Sequence, residues 1–392
     1  MPRPYHPVMQ RYAAGAPAGS PIEPWAADSP SWDPAAAALP SETWELLRRM
    51  PKAELHLHLD GSLRLATALE LADGLGLVRA GSDADRLGWI RDGLVAPRAV
   101  RDQMALLRAF DLPVALMQTE AALERITAEL VEDLATDGTR YAEIKWAPTL
   151  HVRQLSLHDG IAAVVRGADE GMRRAPSVVV RLVAVLLRSH APELGVAMAE
   201  AASGFADRGL TGFDLAGQEA LHPDPALHAR AFELARGAGL GVTIHAGEWG
   251  GAAQVRRAMK VGTSRIEHGA PAWDDPGLLR ELIERAVTLD LCPTSNTQAG
   301  IVGRYEDHPL PRLMRAGVAV TLSTDDRTVS DLSLVREYAR AHASLGVTLP
   351  ELWAIDRHAL DVAFLHHDEA LRARLRDEFE AFGRGEPRLA EG

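Results

Sequence analysis

The 392-residue chain has one cysteine, Cys292, and only three lysines, Lys52, Lys145 and Lys260. A single cysteine rules out an intrachain disulfide and any cluster of thiolate metal ligands. Arginine is plentiful where lysine is scarce, which reads as base-composition bias rather than function. No apolar run reaches the roughly 20 residues that a spanning helix requires, so no membrane partner is expected. A formal net charge of -12 argues against a nucleic-acid partner, because neutralising phosphates needs clustered Lys and Arg. The N-terminus has no apolar stretch of the kind a secretory signal carries, and a cytoplasmic protein is the reading. No internal repeat is visible.

What is present is a large apolar fraction, 47%, enough for a sizeable core. Proline at positions 2, 4, 7, 17, 21, 24, 30, 34 and 40 prevents regular structure at the start, so residues 1–41 are expected to form an arm. A helix is expected to start after Ser41, with glutamates near its positive end. Residues 42–385 read as one domain and 386–392 as a short tail. Within the domain, β-rich runs alternate with helical stretches. Strands are expected at 54–59, 140–146, 177–187, 212–216, 242–245, 265–268, 287–292 and 318–323, and helices at 120–135, 225–238 and 275–285. Several of the strand runs are continuously apolar, as in parallel strands covered on both faces. Eight such units predict an α/β fold of the (β/α)8 TIM-barrel type, with a doubly wound open sheet as the alternative. Residues 65–116 are too long for a simple crossover. They are expected to hold a helical lid inserted after the first strand, or in part helices packed outside the barrel.

The polar residues of interest fall at the C-terminal ends of these strands, where barrel enzymes build their sites. The first ends in Glu54-Leu55-His56-Leu57-His58-Leu59-Asp60-Gly61. Side chains two apart on a strand share a face, so His56 and His58 can grip one ion. Asp60 offers a carboxylate to a substrate hydroxyl, or else caps a helix. The fifth strand ends in His245-Ala246-Gly247-Glu248. His245 is a third ligand candidate, and Glu248 could protonate a ring nitrogen if its pKa were raised; otherwise it is an exposed glutamate at a helix start. The sixth ends in Glu267-His268-Gly269, with His268 placed to act as general base or to orient an attacking hydroxide. By alternation, Glu267 should face the other way and serve as a structural ion-pair partner. The eighth ends in Thr324-Asp325-Asp326, one acid for a metal and one for substrate, or simply a turn. Three histidines and one aspartate suit a catalytic zinc ion, which brings the pKa of bound water from 15.7 to about 7. Of the other histidines, His6, His151, His158, His190, His222, His308, His358, His366 and His367 have no constellation around them, although His190 could line the pocket. Ser295 and Asn296 would support the site from the seventh strand.

Together with Phe213-Asp214-Leu215-Ala216-Gly217 and Cys292-Pro293-Thr294-Ser295-Asn296, these segments resemble the adenosine deaminase branch of the amidohydrolase superfamily from Pro51 to about Phe382. The resemblance implies one zinc ion per chain on His56, His58, His245 and Asp325. It implies catalytic roles for Glu248 at purine N1, for His268 at the attacking hydroxide, and for Asp325. It implies substrate contacts from Asp326 to N7, from the Gly217 N–H to N3, from Asp60 to the ribose, and from His58. The reaction implied is hydrolysis of the 6-amino group of adenosine or 2′-deoxyadenosine. Adenine or a modified adenosine is the alternative substrate, and adenine-specific relatives tend to carry Glu at the Asp60 position. Two-metal members of the superfamily often use a lysine on the fourth strand, and residues 212–216 have none. Many family members carry Gly in place of Glu267 and Pro in place of Arg327. Arg327 either reads an anionic substrate group or pairs with an acid such as Asp331. A metal-dependent phosphoesterase and an inactive binding protein are more remote readings. Deaminases acting on bases in nucleic acids are excluded, since their P-C-x-x-C element needs two cysteines.

Overall fold

The computed structural model describes residues 33–78, 80–97, 106–365 and 367–390. Eight strands follow one another in chain order around a single sheet: β1 (Lys52–His58), β2 (Thr139–Trp146), β3 (Val179–Leu187), β4 (Leu210–Ala216), β5 (Gly241–Ala246), β6 (Arg265–His268), β7 (Thr288–Leu291) and β8 (Val320–Leu322). Each neighbouring pair is parallel. The ends of the sheet meet through a parallel bridge between Leu57 and Asp325. There His58 N donates to Asp325 O at 2.7 Å, and Asp325 N donates to His56 O at 3.1 Å. The fold is the expected (β/α)8 barrel, with every expected strand present.

The expected helices are also there. One spans Glu120–Thr136 and another Pro276–Glu284, the latter capped by Asp275, which accepts from Gly277 N and Leu278 N. The third divides into a 3₁₀ turn, Pro225–His228, and a helix, Ala229–Gly237.

Period-two alternation sorts β1 into two faces. Ala53, Leu55 and Leu57 are buried in the apolar layer beneath the helices. Glu54, His56 and His58 point into the barrel. The lower interior is ionic. Arg265 Nη1 meets Glu143 Oε2 at 2.7 Å, Arg265 Nε meets Asp290 Oδ2 at 3.0 Å, and Lys145 pairs with Glu267. All five side chains are fully buried, so each charge stands only because the others neutralise it.

The insertion after β1 divides its contacts. Arg64 pairs with Asp133 at 2.7 Å and Thr67 donates to Glu129 at 2.6 Å, holding this half on the helix Glu120–Thr136 outside the barrel. The other half turns toward the barrel mouth. Ala96, Leu106 and Ala109 pack with Ala299, Val329 and Trp249, and Ala96 N donates to Val329 O at 2.9 Å. These partners belong to the loops after β5, β7 and β8. Met104 and the rest of residues 98–105 lie outside the described residues, as do residues 1–32 of the expected arm. The remainder of the arm docks on the body, where Asp33 pairs with Arg340 at 2.7 Å. Residues 387–389 form a 3₁₀ turn that buries Leu389.

Candidate active site

At the C-terminal mouth of the barrel, three imidazole nitrogens and one carboxylate oxygen converge. His56 Nε2 lies 3.1 Å from His245 Nε2 and 3.3 Å from His58 Nε2, and the latter two are 3.1 Å apart. Asp325 Oδ1 stands 3.0 Å from His56 Nε2 and 3.4 Å from His58 Nε2. Ligands at 2.0–2.1 Å from a tetrahedral zinc ion stand about 3.3–3.4 Å apart, so these separations and the N/O chemistry of the donors fit a zinc ion. The partners behind the rings strengthen the fit. His56 Nδ1 faces Glu267 Oε2 at 2.8 Å, and His245 Nδ1 faces Asp214 Oδ2 at 2.8 Å. Carboxylates there draw the ring protons to Nδ1 and turn the Nε2 lone pairs inward. Burial opposes ionisation of Asp214, but His245 and Lys145 outweigh it and hold its pKa at about 2. Burial also lowers His58, to about 4, leaving it neutral and free to coordinate. Ser295 Oγ donates to Asp325 Oδ2 at 2.7 Å, fixing the carboxylate.

Two of these groups reach the mouth through an unusual backbone. His268 and Asp325 have φ of +69° and +66°, the left-handed region that L-residues seldom occupy. At the end of β6 this breaks the alternation, so Glu267 and His268 both point inward. Glu267 is therefore an ion-pair partner as expected, of Lys145, but not on the far side: it lies inside the barrel against His56. His268 Nε2 stands 3.9 Å from both Asp325 Oδ2 and Glu248 Oε2, one step back from the four closest donors.

Glu248 is not a helix-start residue, since the next helix begins at Ala252. Its loop is gathered by Glu219, which accepts from the backbone N–H groups of Glu248, Trp249 and Gly250 at 3.4, 3.1 and 2.6 Å. Burial, then the charges of Asp325 and Glu219, push the Glu248 carboxyl up to about 8. Burial and the neighbouring charges of Asp325 and Asp60 likewise raise Asp326 well above the usual carboxylate range. Its Oδ1 has no hydrogen-bond partner among the described residues and lies where a side chain on Gly61 would fall. Asp60 caps no helix. It is 4% exposed, one oxygen lying 3.3 Å from His151 Nε2 and the other without a partner among the described residues. Gly217, just past β4, has φ of +106°, which glycine alone adopts readily.

Arg327 does not pair with Asp331, which binds Arg91 instead. Its guanidinium is buried and meets Asp137 Oδ2 at 3.0 Å. Three residues of the site were not singled out from the sequence. Glu219 sits three residues beyond β4 and His151 five beyond β2, so extending the strand-end rule by a few residues would have found both. The third, His308, hydrogen-bonds Asn296 at 3.1 Å, and nothing in its local sequence signals this.

A family profile described as adenosine deaminase matches residues 51–381. The adenosine deaminase of Mycobacteroides abscessus is 38% identical, the alignment covering 83% of this chain and 93% of that one. That of Clostridium perfringens is 34% identical, covering 84% and 98%. Among solved structures, the adenine deaminase of Arthrobacter aurescens is similar with a TM-score of 0.76 and 25% identity, over 86% of this chain and 99% of its own. The N6-mAMP deaminase of Arabidopsis is similar with a TM-score of 0.74 and 27% identity, over 86% and 99%. With a match that runs from the first strand of the barrel to its last helix, the chain belongs to the adenosine deaminase family and is a hydrolase acting on carbon–nitrogen bonds.

Proposed function

We propose that this enzyme binds one zinc ion through His56, His58, His245 and Asp325 and hydrolyses the 6-amino group of adenosine and 2′-deoxyadenosine. The observation that carries the reading is the convergence of those four donors, three imidazole nitrogens 3.1–3.3 Å apart with a carboxylate oxygen 3.0 and 3.4 Å from two of them, beside a buried carboxyl whose pKa is pushed up to about 8. When bound, the ion supplies a nucleophile at neutral pH by acidifying water.

The chain's own residues do the rest. Glu248, protonated at neutral pH, gives its proton to purine N1, which draws electrons from C6. Water oxygen adds at C6, the C6–N6 bond breaks, and nitrogen leaves as ammonia with the protons balanced by that water. N7 carries a lone pair and can only accept, so a hydrogen bond from Asp326 requires a protonated carboxyl. Burial and the charges of Asp325 and Asp60 favour that form. Asp60, with one oxygen free of protein partners among the described residues, accepts from a ribose hydroxyl. This favours a nucleoside over a free base. A nucleotide would want a cation for its phosphate, and Arg327, the one the sequence offered, is held by Asp137.

The test is ammonia release by metal-replete protein from adenosine, 2′-deoxyadenosine, adenine and AMP, with Glu248→Gln as control. Turnover of both nucleosides and loss in the control support the proposal. Turnover of adenine or AMP alone would keep the chemistry and overturn the substrate.

A further inference from the structure

The ring of His268 has one nitrogen toward the reacting face and one behind it, and the group behind decides what the front can do. Asn296 Nδ2 lies 3.0 Å from His268 Nδ1, and Asn296 Oδ1 lies 3.1 Å from His308 Nε2. Taken alone, imidazoles and amides can each be read either way round. This chain of contacts, however, ends on a backbone amide. Leu310 N donates to His308 Nδ1 at 3.2 Å, and a backbone N–H cannot accept. His308 Nδ1 is therefore a bare lone pair.

His308 is buried, and burial with the nearby Arg312 charge pushes its pKa down to about 3, so its ring is neutral. Its one proton sits on Nε2 and is donated to Asn296. The end of the amide that receives it must be the oxygen. The opposite end is then the –NH₂, which only donates, so His268 Nδ1 accepts. A neutral His268 held this way carries its proton on Nε2, facing Glu248 and Asp325.

We propose that Asn296 and His308 are positioning residues that fix His268 as a hydrogen-bond donor at the reacting face, not as a base. On the nucleoside deaminase reading above, its N–H stabilises the charge gathering on the attacking oxygen. A lone pair there would instead have removed that oxygen's proton. The residues behind the ring thus choose between the two roles the sequence left open for His268.

Zinc-loaded, full-length protein carrying ¹⁵N in its histidine rings tests this, with His268 assigned by comparison with His268→Gln. In the wild type at alkaline pH, Nε2 is expected to be protonated and Nδ1 bare. Asn296→Asp puts an acceptor behind the ring and should move the proton to Nδ1. The wrong tautomer should cut kcat on adenosine by about 10²–10⁴-fold, with KM within about threefold because binding is untouched. His308→Leu should lose activity too, while His308→Gln, which keeps an N–H against Asn296, should recover most of it. A merely structural role predicts no such rescue and no tautomer change. Wild-type His268 with its proton on Nδ1, or an Asn296→Asp variant as active as wild type, would overturn the proposal. The tautomer is read without substrate. A protein with the expected tautomer that released no ammonia would count against the nucleoside reading while upholding the relay.

Discussion

At the scale of single residues, the proposed chemistry depends on side chains whose surroundings oppose their ordinary charge. Glu248 is the plainest case. A carboxyl with its pKa raised to about 8 holds its proton at neutral pH and is lost as an acid above that. kcat/KM is therefore expected to be flat below neutrality and to fall as pH rises through the region just under 8. A cation on Asp325 offsets part of the shift, which keeps the limb at or below that value. Glu248→Gln should cost about 10²–10⁴-fold in kcat and abolish the limb. The same shift has a stability consequence. The folded state binds this proton more tightly than the unfolded chain, so the favourable contribution is complete below the ordinary value of 4.5 and lost as pH rises through about 8. Glu248→Gln should then unfold at a higher temperature than wild type at alkaline pH, a difference that thermal scans at two pH values would reveal. Gly61 sets a second constraint at this scale, because a methyl group there falls on the Asp326 carboxylate. Gly61→Ala is expected to raise KM for adenosine several-fold by displacing Asp326; an unchanged KM would remove Asp326 from the substrate's contacts.

At the scale of elements, the strands were legible because parallel barrel strands are written as apolar runs that end in polar clusters, and the same clusters supply the side chains that converge at the candidate site. His56, His58 and His245 follow from that pattern directly. What escaped the sequence depends on backbone conformation or on distance in three dimensions. Strict alternation sends Glu267 outward, but the left-handed turn at His268 brings both residues in. The pairing of Glu267 with Lys145 joins β6 to β2 across the barrel interior. His308 is 40 residues from the ring it governs, and Asp137 is 190 from Arg327. The last pair carries its own prediction. Asp137 Oδ2 also accepts from Leu334 N at 2.7 Å, so it ties the turn before β2 to the helix Leu334–Leu345 and to the loop after β8. Arg327→Met would leave that carboxylate buried without its cation, costing about 3–5 kcal/mol in denaturant unfolding. The ratio of kcat/KM for adenosine to that for AMP should stay as in wild type, since Arg327 holds the scaffold and not the substrate. A ratio shifted tenfold would return Arg327 to the pocket.

At the scale of the whole molecule, the barrel is a stack of charges graded by depth. Arg265 and Lys145 offset part of the charge of Glu143, Asp290 and Glu267 in its lower interior, and Glu267 and Asp214 pass that order upward to the rings of His56 and His245. The surplus of negative charge among these groups is placed to be answered by a cation at the mouth. Burial works against a charge on His56, yet Cys292, Glu267 and Asp325 more than reverse it, so a proton would compete with the proposed metal for one position. Half of the insertion after β1 packs on the loops beside that position, and the described helices include none long and apolar enough to cross a membrane. The most direct measurement is to strip the protein with a chelator, titrate it with zinc, and follow ammonia released from adenosine. Activity should be absent at the start, rise linearly and stop rising at one zinc per chain. Full activity without metal, a break at two equivalents, or tight zinc binding with no ammonia released would contradict a single-zinc nucleoside deaminase.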